Sequence, residues 1–287
     1  MALTINTNMA SMLVQRNMNA STNALNTAIQ RMTTGYRINS AKDDAAGMAV
    51  AIKLDTQLGA YDVASQNVQM GSALLTTVEE NDNLVLGHLQ RIRDLAEQSA
   101  NGVYDSSSTD AIAAEIDARI AEINRLTNSV EFNGKNLMNG TAGTIKIQVG
   151  INGDADSAIN ISDGLFNSTS NATNMLGTTY GNPTAGTDSG GKKIVAAGAS
   201  ALAQIDTAIG TVKSKITAIG ALQNRLDSAA ESIEVARSNV SSALSTVRDA
   251  DVSTESSNYI KAQILQQAAA SLLTTANQSP SIALNLI

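Results

Sequence analysis

The amino-acid sequence predicts a mainly α-helical protein: a long antiparallel coiled-coil helix bundle that carries one small β-hairpin. Three observations predict this fold class: a core almost without aromatic residues, a long heptad repeat towards the C-terminus, and two helix-patterned chain ends that are nearly free of charge. The 287 residues include no Trp and only two Phe. Long helices that meet along narrow seams need mainly Leu, Ile, Val, Met and Ala, so the composition favours a bundle over a compact enzyme core.

The heptad repeat spans residues 202–247. Apolar side chains recur there at alternating steps of three and four residues, and only Gln223 and Arg237 interrupt them. The pattern lasts about seven heptads, more than the three or four that indicate a coiled coil, and at ~1.5 Å per residue it predicts a rod on the order of 70 Å long. The a and d positions are Leu202, Ile205, Ile209, Val212, Ile216, Ile219, Gln223, Leu226, Ala230, Ile233, Arg237, Val240, Leu244 and Val247.

Three apolar stripes at helical spacing predict the partner helices in the N-terminal part of the chain. Asn81 and Asp82 form a polar break in the second stripe. Ser40 and Asp43 form a capping-box pattern that predicts the start of a helix, and residues 106–109 resemble a cap-rich loop before the third helix. The stripes are Leu25, Ile29, Met32 and Tyr36; Leu74, Val78, Val85, Leu89, Ile92 and Ala96; and Ile112, Ile116, Ile120, Ile123 and Leu126.

Between the helical halves the apolar period changes from helical to two. Residues 145–149 alternate between apolar and polar, Asn152–Asp154 is a turn pattern, and residues 159–161 resume the alternation. This predicts a β-hairpin at about 144–162. Residues 166–194 are rich in Gly, Ser, Thr and Asn, so we expect an exposed loop at the outer tip.

Both chain ends are helix-patterned but nearly uncharged. Residues 1–30 carry only Arg16, and residues 256–287 carry only Lys261. A solvated coiled coil lines its outer positions with Lys and Glu, so we expect these ends to be disordered alone or buried in an assembly. A helix hairpin in the core of one molecule is the alternative. The residues expected to make assembly contacts are Leu13, Leu25, Ile29, Met32, Ile260, Ile264, Leu265 and Leu272.

Two clusters of charged residues lie just inside the two ends. If the end segments pair, the clusters lie side by side at a domain boundary. The alternative is a pair of solvated helix caps, and both interpretations stay open. The residues are Lys42, Asp43, Asp44, Arg248, Asp249 and Asp251.

The composition argues against several classes of protein. The net charge is −7, so there is no basic surplus to neutralise nucleic-acid phosphates. The chain has no Cys, which excludes disulfides and thiolate chemistry. We expect no membrane segment and no secretory signal peptide, so these features alone predict a soluble cytoplasmic protein.

Catalytic and metal-binding patterns are weak in this sequence. His88 is the one histidine, and no H-E-x-x-H or other metal-ligand spacing accompanies it. The glycines do not form a G-x-G-x-x-G loop, and paired acids such as Glu79 and Glu80 lack an accompanying base or electrophile. We therefore predict a protein that is not an enzyme and has no metal or cofactor.

Six motifs, in order along the chain, resemble those of bacterial flagellins. Together the resemblance covers roughly residues 1–165 and 195–287 and is far more specific than a heptad repeat. The motifs are Ile5–Asn8, Arg37–Gly47, Gln90–Ala96, Phe132–Gly134, Gly220–Leu226 and Lys261–Gln267.

The resemblance implies discontinuous domains. Residues 1–43 with 249–287 would form an inner domain of terminal helices. Residues 44–165 with 195–248 would form a helical rod domain with the hairpin. The space between them is too short for a further outer domain, which implies a minimal flagellin.

The resemblance also implies a function and a location. Flagellins are structural subunits that polymerise into the extracellular flagellar filament for motility. They are exported unfolded by the flagellar type III system without a cleaved signal peptide, which overturns the cytoplasmic prediction. The implied partners are further copies of the chain and the export chaperone, cap and hook-junction proteins. The alternatives are a hook-filament junction protein, which should not grow long filaments, and a soluble coiled-coil adaptor, which should form a fixed small oligomer.

One set of rod residues aligns with flagellin positions that contact the vertebrate Toll-like receptor 5. Two helices presenting these side chains could form a patch with an apolar centre and a charged rim. Subunit contacts in the filament are the alternative, and one surface could serve both. The residues are Gln90, Arg91, Leu95, Gln98, Ile112, Glu115 and Arg119.

Overall fold

The computed structural model describes residues 7–162, 165, 172–177 and 190–284, without the side chains of residues 173, 174 and 279–284. Its elements are α1 Met9–Thr34, α2 Ala45–Ser99, α3 Ser106–Ser129, β1 Glu131–Phe132, β2 Lys135–Asn136, β3 Ile145–Gln148, a 3-10 turn Ala155–Ser157, β4 Ala158–Ile161, α4 Ala172–Met175, α5 Gly190–Ala197, α6 Ala199–Arg248 and α7 Val252–Leu284. The described chain is mainly helical with small antiparallel strand pairs, which confirms the predicted fold class.

Two compact units are formed, each from both halves of the chain. The described residues up to Leu58 and from Ser238 onward form the terminal unit, and Gly59–Arg237 form the central unit. These limits lie within α2 and α6, further from the chain ends than residues 43 and 249. Neither helix is interrupted at the limit, so no loop marks the change of unit.

The predicted apolar stripes of α2 and α3 form a large part of the core of the central unit. The second stripe is buried along α2, from Leu74 to Ala96, and the third is buried along α3, from Ile112 to Ile123. Complete burial of a Leu, Ile or Val side chain contributes about 1.5–3 kcal/mol. The stripes therefore dominate the stability of this unit.

Helix α6 confirms the heptad prediction in the central unit. Its 50 residues correspond to about 75 Å of helix. The six a or d positions that are buried are Ile205, Ile209, Val212, Ile219, Leu226 and Ile233. Arg237 is exposed and forms an ion pair with Asp62 (Nε to Oδ1, 2.8 Å), so this polar interruption marks the end of the buried repeat.

The predicted hairpin is present as β3 and β4. Ile147 faces Ile159 across the antiparallel pair, and both side chains are buried. Gly71 on α2 lets the hairpin approach, because a side chain there would collide with Ile147 Cδ1. Asn67 of α2 donates to the carbonyl of Gln148 (3.2 Å), which fixes the edge of the hairpin against the helix.

A second tight turn explains the Phe132–Gly134 motif. Asn133 and Gly134 have positive φ values of 48° and 79° between β1 and β2. Two successive positive values are typical of a type I′ hairpin turn, which Asn-Gly adopts with little strain. The backbone conformation of this turn therefore explains why Asn133 and Gly134 occur in the motif.

The described parts of residues 166–194 are not an exposed loop, and that prediction is wrong for them. Ala172 and Leu176 are buried at α4, and α5 packs on α3 with Gly191 and Ile194 buried. Gly191 lies so close to the carbonyl of Ala113 that no side chain fits. Its amide also donates to Asp117 Oδ1 (2.7 Å). Residues 166–171 and 178–189 lie outside the described residues.

Two helix starts also differ from prediction. Helix α2 begins at Ala45 with Asp44 before it, after the Ser40–Asp43 pattern, which forms a turn instead. Helix α3 begins at Ser106, because the Asp105 side chain caps it by accepting from the Ser108 amide (2.9 Å). The predicted cap-rich loop is therefore the first turn of α3.

No single helix of the described residues is long and apolar enough to cross a membrane. Helices α5 and α6 reach that length and apolar composition only together, as a pair bent by 115°. Ile194 and Ile205 of that pair are buried in the central unit. Within the same residues, no three His, Asp or Glu side chains converge as metal ligands.

Candidate assembly interface

Helices α1 and α7 pair antiparallel in the terminal unit. Four polar contacts between side chains or to a carbonyl fix their register: residues 8–11 meet residues 276–277, and the contacts further along α1 meet successively earlier residues of α7. The contacts are Asn8 Nδ2 to Ala276 O (2.8 Å), Ser11 Oγ to Asn277 Oδ1 (2.7 Å), Gln266 Nε2 to Thr22 Oγ1 (3.1 Å) and Arg31 Nη1 to Glu255 Oε1 (2.9 Å).

Among the described apolar residues of α1 and α7, alanines are the ones that are fully buried, and Val14, Met18, Leu25, Tyr259 and Leu273 are half-buried. Ala28 of α1 and Ala262 and Ala269 of α7 are buried. The separation of packed helices depends on the side chains at the contact, so small residues allow a close approach. Glu255 is buried as well, where it pairs with Arg31.

Most of the large apolar side chains described on α1 and α7 point outward. Ten of them are exposed: Met9, Met12, Leu13, Ile29, Met32, Val252, Ile260, Ile264, Leu265 and Leu272. We call them the exposed apolar side chains of the terminal helices. They include seven of the eight residues expected to make assembly contacts, and the eighth, Leu25, is half-buried.

These side chains occupy more than one face of α1. At roughly 100° per residue, Met9, Met12 and Leu13 lie together on one face, whereas Ile29 and Met32 lie on another. An exposed apolar surface of this kind indicates contact with a partner. Its distribution over several faces indicates contact with more than one neighbour.

The chain segments next to α1 and α7 are joined by backbone hydrogen bonds. Tyr36 and Asp249 form an isolated antiparallel bridge, the Arg37 amide donates to the Arg248 carbonyl (2.7 Å), and the Arg248 guanidinium lies 4.0 Å from the centre of the Tyr36 ring. A cation above an aromatic face is stabilising. These contacts join residues 36–37 to residues 248–249 inside the terminal unit. The side-by-side placement of the two charge clusters stays a prediction.

Asp44 and Asp251 of the two charge clusters serve as helix caps. Asp44 accepts from the Gly47 amide (2.9 Å), and Asp251 accepts from the Ser253 amide (2.9 Å) and the Thr254 hydroxyl. The hydrogen bond from the Thr254 hydroxyl, with those from the two backbone amides, lowers the pKa of Asp251. Capping carboxylates at helix N-termini are stabilising, so the cap interpretation of these acids is supported.

A similar role holds for Asp43. Its carboxylate accepts from the Ser40 amide (2.9 Å) and hydroxyl (3.1 Å), and these hydrogen bonds lower its pKa. Lys42 is exposed in the same turn. The turn between α1 and α2 is thus closed by its own polar side chains.

Five of the seven predicted receptor or subunit contacts form a polar patch on α2 and α3. Arg91 Nε and Arg119 Nη2 lie 3.1 Å and 3.0 Å from Glu115 Oε1, and their hydrogen bonds lower the pKa of Glu115. Gln90 and Gln98 are exposed on α2. We call these five residues the charged patch.

Leu95 and Ile112 cannot form the apolar centre of that patch. They are 2% and 8% exposed and belong to the core of the central unit. Both follow the helical spacing of buried stripes on α2 and α3, and that spacing decides their orientation. The prediction that Leu95 and Ile112 make contacts at the surface is therefore wrong.

A buried ion pair between α2 and α6 was not predicted from the sequence. Asp82 Oδ1 lies 3.9 Å from Lys215 Nζ, and both side chains are buried. Burial lowers the pKa of Lys215, and the attraction of Asp82 opposes that shift. The sequence did contain one indication of this pair. Asp82 interrupts an apolar stripe, and an acid buried in a core is stabilised by a cation such as Lys215.

His88 also gains a partner from the tertiary structure. Its Nδ1 lies 3.5 Å from Arg119 Nη1, beside the charged patch. The sequence analysis gave it a structural role only.

Comparison with known proteins identifies the family. Residues 5–143 match the model of the bacterial flagellin N-terminal helical region, and residues 202–287 match that of the C-terminal helical region. Flagellin B of Vibrio cholerae is 30% identical and is covered completely, as is this chain. The flagellar filament 30.7 kDa core protein of Treponema maltophilum is 32% identical, with 99% of each chain covered.

Two further comparisons are less complete. The B-type flagellin of Pseudomonas aeruginosa is 49% identical over 152 residues, which cover 53% of this chain and only 31% of that one. A solved chain from Vibrio parahaemolyticus, described as a flagellar hook-associated protein, has a TM-score of 0.55 at 16% identity and covers 72% of this chain and 100% of its own. That likeness concerns the fold alone. The two family models and the full-length relatives together establish that this chain belongs to the bacterial flagellin family, the structural subunits of the flagellar filament.

Proposed function

We propose that this chain polymerises by burying the exposed apolar side chains of its terminal helices against further copies of itself. The observation that carries the proposal is that ten large apolar side chains among those described on α1 and α7 are exposed, whereas the fully buried apolar residues of these helices are alanines. A stable isolated helix pair would place its large residues between the helices. The observed division instead suits a unit that is enclosed by neighbours.

The expected gain is of the size that polymerisation needs. Complete burial of one large apolar side chain contributes about 1.5–3 kcal/mol, so covering the exposed part of each contributes about 1 kcal/mol. Ten such side chains contribute on the order of 10 kcal/mol. Association costs about 4–15 kcal/mol in lost translational and rotational freedom. One neighbour covers only some of the ten side chains, so contact with one neighbour alone is weak. Several neighbours together give a stable polymer.

The arrangement also favours an open polymer over a small closed oligomer. Exposed apolar residues on several faces of α1 require contacts with different neighbours. Head-to-tail contacts that do not close into a ring generate helical filaments. A coiled-coil adaptor of fixed size would leave part of this surface uncovered.

Folding of the terminal helices is coupled to assembly in this proposal. The free helices bury only alanines completely among their described apolar residues and half-bury a few larger ones, whereas ordering costs about 1–2 kcal/mol per residue. Chain ends of this kind suit export in the unfolded state by the flagellar type III system, without a cleaved signal peptide. Its partners in that route would be the export chaperone, the cap and the hook-junction proteins, and its destination the extracellular filament.

The test is seeded polymerisation of the purified protein in a salting-out buffer, followed by electron microscopy. Leu265→Asp or Leu272→Asp should prevent growth, because a carboxylate would be buried between copies. Val103→Asp is the matched control, since Val103 is an exposed apolar residue of the central unit. Circular dichroism checks that each variant keeps the helical content of the free protein. Normal filaments from both leucine variants would overturn the proposal.

A second role, recognition by the vertebrate Toll-like receptor 5, is supported by the charged patch. Arg91, Glu115 and Arg119 form a connected set of partly exposed charges on two adjacent helices. Arg is frequent among residues that dominate binding energy at protein interfaces. The same patch also suits contact with another subunit.

A cell reporter assay tests receptor recognition. Arg91→Ala should weaken signalling by tenfold or more if Arg91 contacts the receptor, since loss of such an anchor costs about 2 kcal/mol. Arg125→Ala is the control, because Arg125 is an exposed arginine of α3 that pairs with Glu122 outside the patch. Equal signalling by wild type and Arg91→Ala would remove this role.

A further inference from the structure

Methionine is concentrated on the first terminal helix. The chain has nine Met and no Cys, so the thioether is its only side-chain sulfur group. Four of the nine, Met9, Met12, Met18 and Met32, lie on α1. An oxidant that attacks sulfur can therefore react only with methionine in this chain, because no cysteine thiol competes for it.

Two of these methionines are both highly exposed and adjacent. Met9 and Met12 are 69% and 59% exposed, one helical turn apart on the same face, with Leu13 beside them. Met18 is half-buried, and Met138 in the central core is 0% exposed. Solvent access thus separates the α1 pair from the core methionine.

We propose that Met9 and Met12 form an oxidation site through which peroxides block assembly of the free subunit. This inference rests on the proposed function, because it places both thioethers in the contacts between copies. In the reaction, the sulfur lone pair attacks one oxygen of hydrogen peroxide and the O–O bond breaks. Each methionine becomes a sulfoxide, and the peroxide is reduced to water.

The sulfoxide changes what the assembly contact must bury. A flexible apolar side chain becomes a strongly polar one, and burial of a polar group without a hydrogen-bond partner is unfavourable. One unpaired sulfoxide in each contact should raise the critical concentration by about tenfold or more. Two sulfoxides on the same face of α1 should both contribute to this rise in the critical concentration.

The site is protected once assembly is complete. Neighbouring copies that cover Met9 and Met12 exclude solvent from their sulfur atoms, so a finished filament resists the oxidant that disables the free subunit. The block is also reversible. A dithiol and a methionine sulfoxide reductase remove the oxygen as water and are oxidised to a disulfide, which restores the thioether.

The experiment uses hydrogen peroxide on the full-length protein, once as free subunits and once as filaments. Peptide mass spectrometry should find one added oxygen on Met9 and Met12 of the free subunit well before Met138. In filaments, both should remain thioethers. Equal oxidation rates at Met9 and Met138 in the free subunit, or equal rates at Met9 in subunit and filament, would overturn the inference.

Matched variants separate the site from general damage. After peroxide treatment, wild type should show the tenfold rise in critical concentration on seeds, and a Met9→Leu/Met12→Leu double variant should stay within about twofold of its untreated value. Met70→Leu is the control, because Met70 is an exposed methionine of the central unit, and it should remain sensitive. Equal inhibition of the double variant and wild type would show that other residues are responsible.

The same experiment distinguishes this inference from the proposed function. Untreated wild type that fails to grow on seeds contradicts polymerisation itself. Growth of untreated protein together with normal growth of fully oxidised protein contradicts only the oxidation site. Recovery of growth after reductase treatment supports it.

Discussion

The buried Asp82–Lys215 pair leads to a quantitative prediction for the central unit. Lys215→Met removes the cation from the α2–α6 contact while leaving the Asp82 carboxylate fully buried. Removal of one partner of a buried ion pair costs about 3–5 kcal/mol. The Nζ–Oδ1 distance of 3.9 Å is long for an ion pair, so the lower end of that range applies. We expect a loss of about 3 kcal/mol, a large part of a typical unfolding free energy of ~5–15 kcal/mol.

Urea unfolding followed by circular dichroism measures this loss. With an m-value of about 2 kcal/mol per molar urea, the midpoint should fall by about 1.5 M. The double variant Asp82→Leu/Lys215→Met should recover to within about 1 kcal/mol of wild type or exceed it, because two apolar residues need no partner. Lys213→Met, at an exposed position of the same helix, should change stability by less than about 0.5 kcal/mol.

The outcomes separate two explanations of the pair. A double variant as unstable as Lys215→Met would mean that the lysine stem, and not the charge, supports the helix contact. An unchanged midpoint in Lys215→Met would refute the reasoning, since it would mean that Asp82 does not need this cation.

Two further predictions concern glycines and a helix cap. Gly191→Ala should destabilise the packing of α5 on α3 by about 1–3 kcal/mol, because the added carbon would collide with the Ala113 carbonyl. Gly210 of α6 faces open space, so Gly210→Ala should instead stabilise the protein by about 0.5–1 kcal/mol. Urea midpoints that shift in the same direction for both would contradict this. The lowered pKa of Asp251 predicts that its capping contribution is complete above its ordinary value of 3.8 and is lost as the pH falls through the lower, folded-state value. Acid titration of wild type and Asp251→Asn should show this dependence in wild type only, and identical titration curves would exclude it.

The elements that the sequence predicted are those whose side chains repeat at a regular period. The a and d positions of α6 from Ile205 to Ile233 and the β3–β4 alternation required no knowledge of partners, because burial of one face follows directly from the period. The two errors at Leu95 and Ile112 came from giving resemblance more weight than this periodicity. Ile112 belongs to the third predicted stripe, and Leu95, which was not part of the second, lies one helical turn after Ile92 of that stripe.

Features formed by residues distant in the chain were not predictable in this way. The packing of α5 depends on the fit of Gly191 to the Ala113 backbone, and the ion pair joins Asp82 to a lysine more than a hundred residues later. No local pattern encodes such a fit, since each partner alone is compatible with solvent.

For the terminal unit, the sequence by itself determined that both ends are helical, apolar and almost without charge, because composition and spacing are properties of each segment alone. Only the tertiary structure decided which side chains the two ends bury against each other. Ala28, Ala262 and Ala269 occupy the seam, and larger residues such as Leu265 and Leu272 remain outside. The physical reason is that a helix pair buries one narrow stripe of each partner, and the polar contacts that fix the register select which stripe that is.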